Sequence, residues 1–224
     1  MCYVFAMARA ILEREFPYYR RLDATRRDKL VADLDVFARK ELLGLDGLVI
    51  TERMRVLVAA TAALLVLELD IALFDHVVRV ELRPSEYAAD GSIAAGHYAW
   101  REGEPSGVVQ LSWRHVIDGL ALPDGMHVGI HELAHALDHG LGGKLLVDHE
   151  RCDHWRRSLD EFPLRREREG RFMVTHVVPD VAGPELFAVA SELFFERPMT
   201  VLRIDPVLFE ELQRIYRLDP RMFW

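Results

Sequence analysis

The chain has 224 residues, of which half are hydrophobic and 29% are charged, a composition that supports a large core and excludes a chain disordered throughout. Its 28 basic and 36 acidic residues give a net charge of −8 at neutral pH, and so acidic a chain is not expected to bind nucleic acid. Two cysteines cannot build a disulfide framework, and the N-terminal segment lacks the basic start of a secretion signal, so we expect a cytoplasmic protein.

Helical spacing of apolar residues dominates the N-terminal part of the chain. The pattern begins after Asp23, a suitable N-cap, and continues through Leu42 until Gly44 ends it. We therefore expect residues 1–45 to form a helical preface within a single domain that spans 1–224.

A second helix is predicted to start after Thr51, whose side chain can cap it, and to run to Leu69. This helix contains the longest apolar stretch of the chain, residues 56–67, with Thr61 as its one polar position. The stretch is well short of the ~20 residues needed to cross a bilayer. It therefore predicts a buried helix, and we expect no membrane partner.

The middle of the chain changes to short alternating or apolar segments separated by Gly, Pro and Ser. These segments predict three short strands in an antiparallel sheet, at 77–82, 97–100 and 107–113. Helical patterns then return at 126–139, 184–197 and 205–217. The predicted fold class is therefore α+β, with mostly helices and a small antiparallel sheet.

Residues 131–135 read HELAH, which matches the H-E-x-x-H pattern of zinc peptidases. On a helix, His131 and His135 lie one turn apart on the same face, so both imidazoles can reach one metal ion. Glu132 then lies beside the position of an attacking water, where it could act as a general base. The alternative is a hydrogen-bonded core cluster without a metal, since buried polar groups need partners of some kind.

A catalytic zinc site needs a third protein ligand. His139 is near in sequence, but in a continuous helix its Cα lies about 12 Å along the axis from that of His131, too far for three rings to share one ion. Glu185 and Glu192 are better candidates, because they are seven residues apart on one face of an otherwise apolar helix. The residues alone favour Glu185, with Glu192 or a residue elsewhere as the alternatives.

Several segments occur in the order and spacing of a known family: 47–70, 108–113, 129–138, 185–198 and 215–220. Together they resemble the Mlc titration factor A family of bacterial zinc metallopeptidases, most specifically in HELAHALD and ELFAVASE. The resemblance implies a gluzincin-type zincin that is similar in its core to the catalytic domain of anthrax lethal factor. It further implies one Zn²⁺ per chain, held by His131, His135 and Glu185, with Glu132 as the general base.

The resemblance also suggests residues that support the metal ligands and the reaction. Glu192 and Asp138 are expected to lie behind the ligands, where a carboxylate can accept an N–H from a histidine and fix its tautomer. Family members usually carry a tyrosine shortly before the ligand glutamate, placed to assist the oxyanion. Here the run reads HVVPDVAGPE over 176–185 and has no tyrosine, so His176 is the nearest polar substitute and the expected catalytic residue.

The sequence thus predicts a zinc-dependent peptidase that acts on a peptide or protein. Zincins commonly hold an extended substrate against a sheet edge, and we expect the exposed edge near the metal to be formed by Val108, Val109, Gln110 and Leu111. The alternative is a regulatory module with weak or vestigial hydrolysis. Its partner would be a protein such as a transcriptional repressor, because the namesake of the family binds one.

Overall fold

The computed structural model describes residues 2–89, 92–100, 106–143 and 183–224, together with positions 153 and 157. Helices make up most of this part of the chain and a small sheet lies among them, so the predicted α+β class is confirmed. The helices are α1 (Cys2–Glu15), α2 (Pro17–Arg21), α3 (Ala24–Phe37), α4 (Glu52–Leu65), α5 (Trp113–Ala121), α6 (Val128–Gly140), α7 (Gly183–Glu196), α8 (Pro198–Ile204) and α9 (Pro206–Tyr216). The strands are β1 (Glu41–Gly44), β2 (Val77–Arg83), β3 (Tyr87–Ala89), β4 (Ser92–Ala94), β5 (Gly96–Ala99) and β6 (Gly107–Ser112).

Side-chain caps set the starts of two N-terminal helices. Asp23 accepts the N–H of Arg26 at 2.9 Å and begins α3, while Thr51 accepts the N–H of Met54 at 3.3 Å and begins α4. Both predicted caps are confirmed, although α4 ends at Leu65 and is shorter than predicted. Helix α4 is buried along most of its length and packs against α1, α3 and α6. Among the described residues, no helix is both long and apolar enough to cross a membrane.

The main sheet is mixed and not antiparallel, which corrects the prediction. Its strand order is β1-β2-β6-β5, in which β1, β2 and β6 run parallel and β5 is antiparallel to β6. Alternating hydrophobicity marks a strand but carries no information about its direction. Parallel neighbours need a long connection, and the chain between β2 and β6 supplies one that contains the β3–β4 hairpin and β5.

Strand β6 lies inside the sheet, paired with β2 on one side and β5 on the other. The prediction that Val108, Val109, Gln110 and Leu111 form an exposed edge is therefore wrong. Val109 and Leu111 are buried at 0% and 1% exposure on the face that α6 covers. An inner strand covered on one face shows the same alternation as an edge strand, so the pattern could not locate the edge. The outer strands of this sheet are β1 and β5.

Strand β1 replaces the end of the predicted N-terminal helix. Helix α3 ends at Phe37, and Glu41–Gly44 then pairs in parallel with β2. The apolar spacing through Leu42 fits either a last helical turn or a short strand, and pairing with a segment distant in sequence decides between them. The predicted preface of 1–45 is thus helical only through Phe37, and its last residues join the sheet.

Candidate metal centre

Helix α6 carries the HELAH motif into the interior of the protein. His127 caps the helix, because its Nδ1 accepts the N–H of Ile130 at 3.3 Å. The helix packs against α4, α7, β5 and β6, which together cover most of its circumference. His131 and Glu132 are consequently almost fully buried, with 7% and 6% exposure.

Three ligand-type side chains meet where α6 faces the first turn of α7. The Nε2 atoms of His131 and His135 are 3.3 Å apart. The carboxylate of Glu185 spans them, with Oε1 3.0 Å from Nε2 of His135 and Oε2 3.4 Å from Nε2 of His131. One ligand atom from each residue lies within 4.8 Å of the other two. Within the described ranges, this is the one group of three or more His, Cys, Asp or Glu residues with that property.

The acidic side chains at this group favour positive charge between them. Burial lowers the pKa of His131, but the carboxylates of Glu192 and Glu185 outweigh it and hold that pKa well above its ordinary value. Burial works to raise the pKa of Glu185, whereas its hydrogen bonds with the two histidines bring it far below the ordinary value. The carboxylate therefore requires positive charge beside it, which either protonated imidazoles or a divalent ion can supply.

Glu132 lies between this group and strand β5. Burial raises the pKa of its carboxyl, and the neighbouring charges of His131 and His135 oppose the rise. A Cβ on Gly96 would lie 2.6 Å from both Cγ and Oε1 of Glu132, so only glycine allows β5 to approach this closely. The outer strand of the sheet thus runs directly beside the predicted general base.

Glu192 supports His131 from the side opposite the metal group. Its Oε1 accepts the N–H of His127 at 2.9 Å, and its Oε2 lies 3.3 Å from Nδ1 of His131. A carboxylate at that nitrogen favours the tautomer protonated on Nδ1, which leaves the lone pair of Nε2 for a metal. The contact is the one expected of a residue behind a ligand, and the role of Glu192 in metal binding stays a prediction.

Glu196 is a further buried carboxylate that the sequence analysis did not identify. It is 2% exposed, and its Oε2 accepts the N–H of Gly125 at 2.6 Å, in the turn that precedes α6. Glu185, Glu192 and Glu196 follow one another at spacings of seven and four residues, which places them on the face of α7 that packs against α6. The same spacing is visible in the sequence and could have identified Glu196.

The other predicted site residues have different outcomes. Asp138 is buried near the end of α6, where its carbonyl oxygen accepts the N–H of Leu141 at 3.1 Å, and its predicted support of a metal ligand stays a prediction. His139 lies on the continuous helix α6, which keeps it too far along the axis from His131 to share one ion with both histidines, and its Nδ1 is 2.6 Å from the hydroxyl of Tyr98. His176 lies outside the described residues.

Comparison with known proteins shows which family the chain belongs to. Residues 4–217 match the profile of the glucose-regulated metallo-peptidase M90 family. The chain belongs to this family. Proteins named Mlc titration factor A are similar to it: the one from Serratia proteamaculans is 28% identical over 91% of this chain and 84% of its own length. Those from Pectobacterium atrosepticum and Yersinia pestis are 28% and 27% identical, over 91% and 81% of this chain and 83% and 73% of their own lengths.

Membership of the M90 family confirms the resemblance seen in the sequence and implies a metal ion. The residues present fit such an ion, because two imidazole nitrogens and a carboxylate face one point and the remaining nitrogen of His131 has an acidic neighbour in Glu192. In metal sites, a partner of that kind orients the ligand ring.

Proposed function

We propose that this chain is a zinc-dependent peptidase in which His131, His135 and Glu185 bind one Zn²⁺. The observation that carries the proposal is the convergence of their ligand atoms to within 4.8 Å of one another. Membership of a metallo-peptidase family supports a metal at this group. Two imidazoles with one carboxylate favour zinc over Ca²⁺ or Mg²⁺, which prefer sets of oxygen ligands.

The proposed reaction is hydrolysis of a peptide bond. When bound, a zinc ion polarises a carbonyl group and makes water more acidic. Glu132 accepts one proton from the attacking water, for which its buried position and raised pKa suit it. The water oxygen bonds to the carbonyl carbon, the C–N bond breaks, and Glu132 passes the proton to the leaving nitrogen. The second water proton leaves the new carboxylic acid for the amine, so the products are a carboxylate and a protonated amine.

Strand β5 takes the place of β6 as the proposed support for the substrate backbone. It is the outer strand of the described sheet on the side of α6, and Gly96 brings it into contact with Glu132. An extended peptide that adds to this edge gains backbone hydrogen bonds that depend little on its side chains. The peptide bond to be cleaved would then lie beside the carboxylate of Glu132.

The test compares zinc-loaded wild-type protein with Glu132→Gln on a library of peptides, with products identified by mass spectrometry. The variant should bind zinc as wild type does and cleave peptides at least about 10²-fold more slowly, because it loses the base and keeps every proposed ligand. Glu68→Gln is the matched control, since Glu68 forms a surface ion pair with Arg26 at 2.6 Å, and it should cleave normally. Equal cleavage by wild type and Glu132→Gln, or no cleavage by wild type, would overturn the proposal.

Binding of a regulatory protein is the second candidate function. It is favoured by the name of the relatives, Mlc titration factor A, which describes titration of Mlc. In this case the chain would bind a transcriptional repressor, and peptide hydrolysis would be weak or vestigial. Calorimetric titration with a candidate repressor distinguishes the two functions, since binding that wild type and Glu132→Gln share, without cleavage by either, would favour the regulatory one.

A further inference from the structure

We propose that Trp100, Tyr98 and His139 form a subsite that binds an aromatic or large apolar side chain of the substrate. The inference rests on the proposed peptidase function and names its substrate class, namely peptides with such a side chain at one fixed distance from the cleaved bond. Tyr98 lies in β5, Trp100 follows the end of that strand, and His139 lies on α6. The subsite therefore joins α6, which carries Glu132, to β5, which contacts Glu132 at Gly96.

The position of these residues relative to the metal group follows from the two backbones. On α6, His139 follows the predicted ligand His135 by four residues, which is about 6 Å of helix rise. On β5, Tyr98 follows Gly96 by two residues, which is about 7 Å of strand and returns the side chain to the same face. That face is the one that meets Glu132 at Gly96. A peptide extended along β5 from Glu132 would thus reach the subsite after about two residues.

Contacts on several sides hold the ring of His139 in place. Its Nδ1 is 2.6 Å from the Tyr98 hydroxyl, and its ring centroid is 4.5 Å from that of His76 and 4.2 Å from that of Trp100. The Tyr98 ring in turn lies against Gly107, where a Cβ would come within 2.6 Å of the hydroxyl oxygen. Rings that are already ordered lose little side-chain entropy when a ligand packs on them, which favours binding.

The chemistry of the cluster selects the kind of side chain. Trp100 is 41% exposed, so part of its indole is open to solvent beside the outer strand. Burial, reinforced by His139 and Lys40, lowers the pKa of His76 to about 4. Burial also lowers the pKa of His139, so both imidazoles are neutral at pH 7. An uncharged aromatic surface gains contact and ring-packing energy from aromatic and large apolar side chains.

The test measures peptide binding separately from cleavage. Zinc-loaded Glu132→Gln is immobilised and exposed to short peptides of random sequence, and the retained peptides are identified by mass spectrometry. We expect Phe, Tyr, Trp and Leu to be enriched at a single position. Adding Trp100→Ala should weaken binding of a Phe-containing peptide about tenfold and abolish the enrichment, while Trp100→Phe should retain most of it. Trp224→Ala is the matched control, because Trp224 is 47% exposed at the C-terminal end, and it should retain the enrichment.

The outcomes separate this inference from the proposed function. Retention or cleavage of peptides without a preference for aromatic or large apolar side chains at one position, unchanged enrichment in Trp100→Ala, or no retention at all would overturn the subsite. In the first two cases the peptidase proposal would stand if wild type still cleaves. Retention of aromatic peptides by Glu132→Gln, combined with no cleavage by wild type, would support the subsite and overturn the peptidase function.

Discussion

Glu192 offers a way to measure how α7 positions the metal ligands, because two of its contacts affect two different quantities, zinc affinity and stability. Its carboxylate accepts the buried N–H of His127 at 2.9 Å and lies 3.3 Å from Nδ1 of His131. Glu192→Ala removes both contacts. Glu192→Gln keeps one carbonyl oxygen, and because the two nitrogens contact different oxygens of the carboxylate, that oxygen can replace only one of the two contacts.

The two contacts predict two different losses. Without the carboxylate behind His131, zinc affinity should fall about 10–100-fold, which corresponds to about 1.4–2.8 kcal/mol. Without an acceptor for the N–H of His127, the metal-free protein should lose about 1–3 kcal/mol of unfolding free energy. Glu192→Gln keeps one acceptor, so it should lose less than Glu192→Ala in the quantity whose contact its carbonyl oxygen retains. Glu185→Ala should lose more zinc affinity than either variant, because only the two histidines would remain to bind the ion.

Zinc affinity is measured by competition with a chromophoric chelator, and stability by urea unfolding in the presence of EDTA, so that the two losses are recorded independently. Glu68→Gln serves as the control, because the ion pair of Glu68 with Arg26 lies at the surface and involves no residue of α6 or α7. Wild-type zinc affinity in Glu192→Ala would refute the argument. So would near-native affinity in Glu185→Ala together with loss of zinc in Glu192→Ala, because the ligand would then be Glu192.

Two further substitutions test contacts around α6. Gly96→Ala places a Cβ 2.6 Å from Cγ of Glu132, so it should retain zinc but cleave peptides at least about tenfold more slowly, and equal steady-state rates would contradict the close approach of β5. Burial, reinforced by Glu192, raises the pKa of Glu196 well above its ordinary value of 4.5, so the native protein keeps a proton that the unfolded chain has lost. The unfolding free energy should therefore fall as pH rises from 4.5 towards the native pKa, by up to about 1.4 kcal/mol per pH unit. Glu196→Gln cannot ionise, so urea unfolding at about pH 5 and pH 8 should show a flatter dependence than wild type, and an unchanged slope would contradict the assignment.

The site was predictable from the sequence where local spacing determines it. His131 and His135 share a face of α6 because an interval of four residues is about one helical turn. The spacing of Glu185 and Glu192 likewise predicted one face of a second helix, but it could not show which carboxylate faces the histidines. That choice depends on how α7 packs against α6, a long-range arrangement, and the family resemblance supplied it.

The sheet was less predictable because strand pairing depends on residues distant in sequence. Short apolar runs marked β2, β5 and β6. Nothing in these runs indicates that β2 and β6 are parallel, or that β6 pairs with another strand along each of its two edges. Leu42 illustrates the same limit, since its spacing suits a helix and its pairing with Val80 places it in β1. Periodicity records which face of an element is buried, and it does not record the neighbours within the sheet.

The central claim, that this protein hydrolyses peptides with one zinc ion held by His131, His135 and Glu185, is tested most directly by returning zinc to the metal-stripped protein while cleavage is followed. The account predicts no cleavage before zinc is added, a linear rise in rate, and a plateau at one zinc per chain. Glu185→Ala should remain inactive at the same zinc concentrations. Full activity in the stripped protein, or a rise in rate that is the same in Glu185→Ala, would contradict the account.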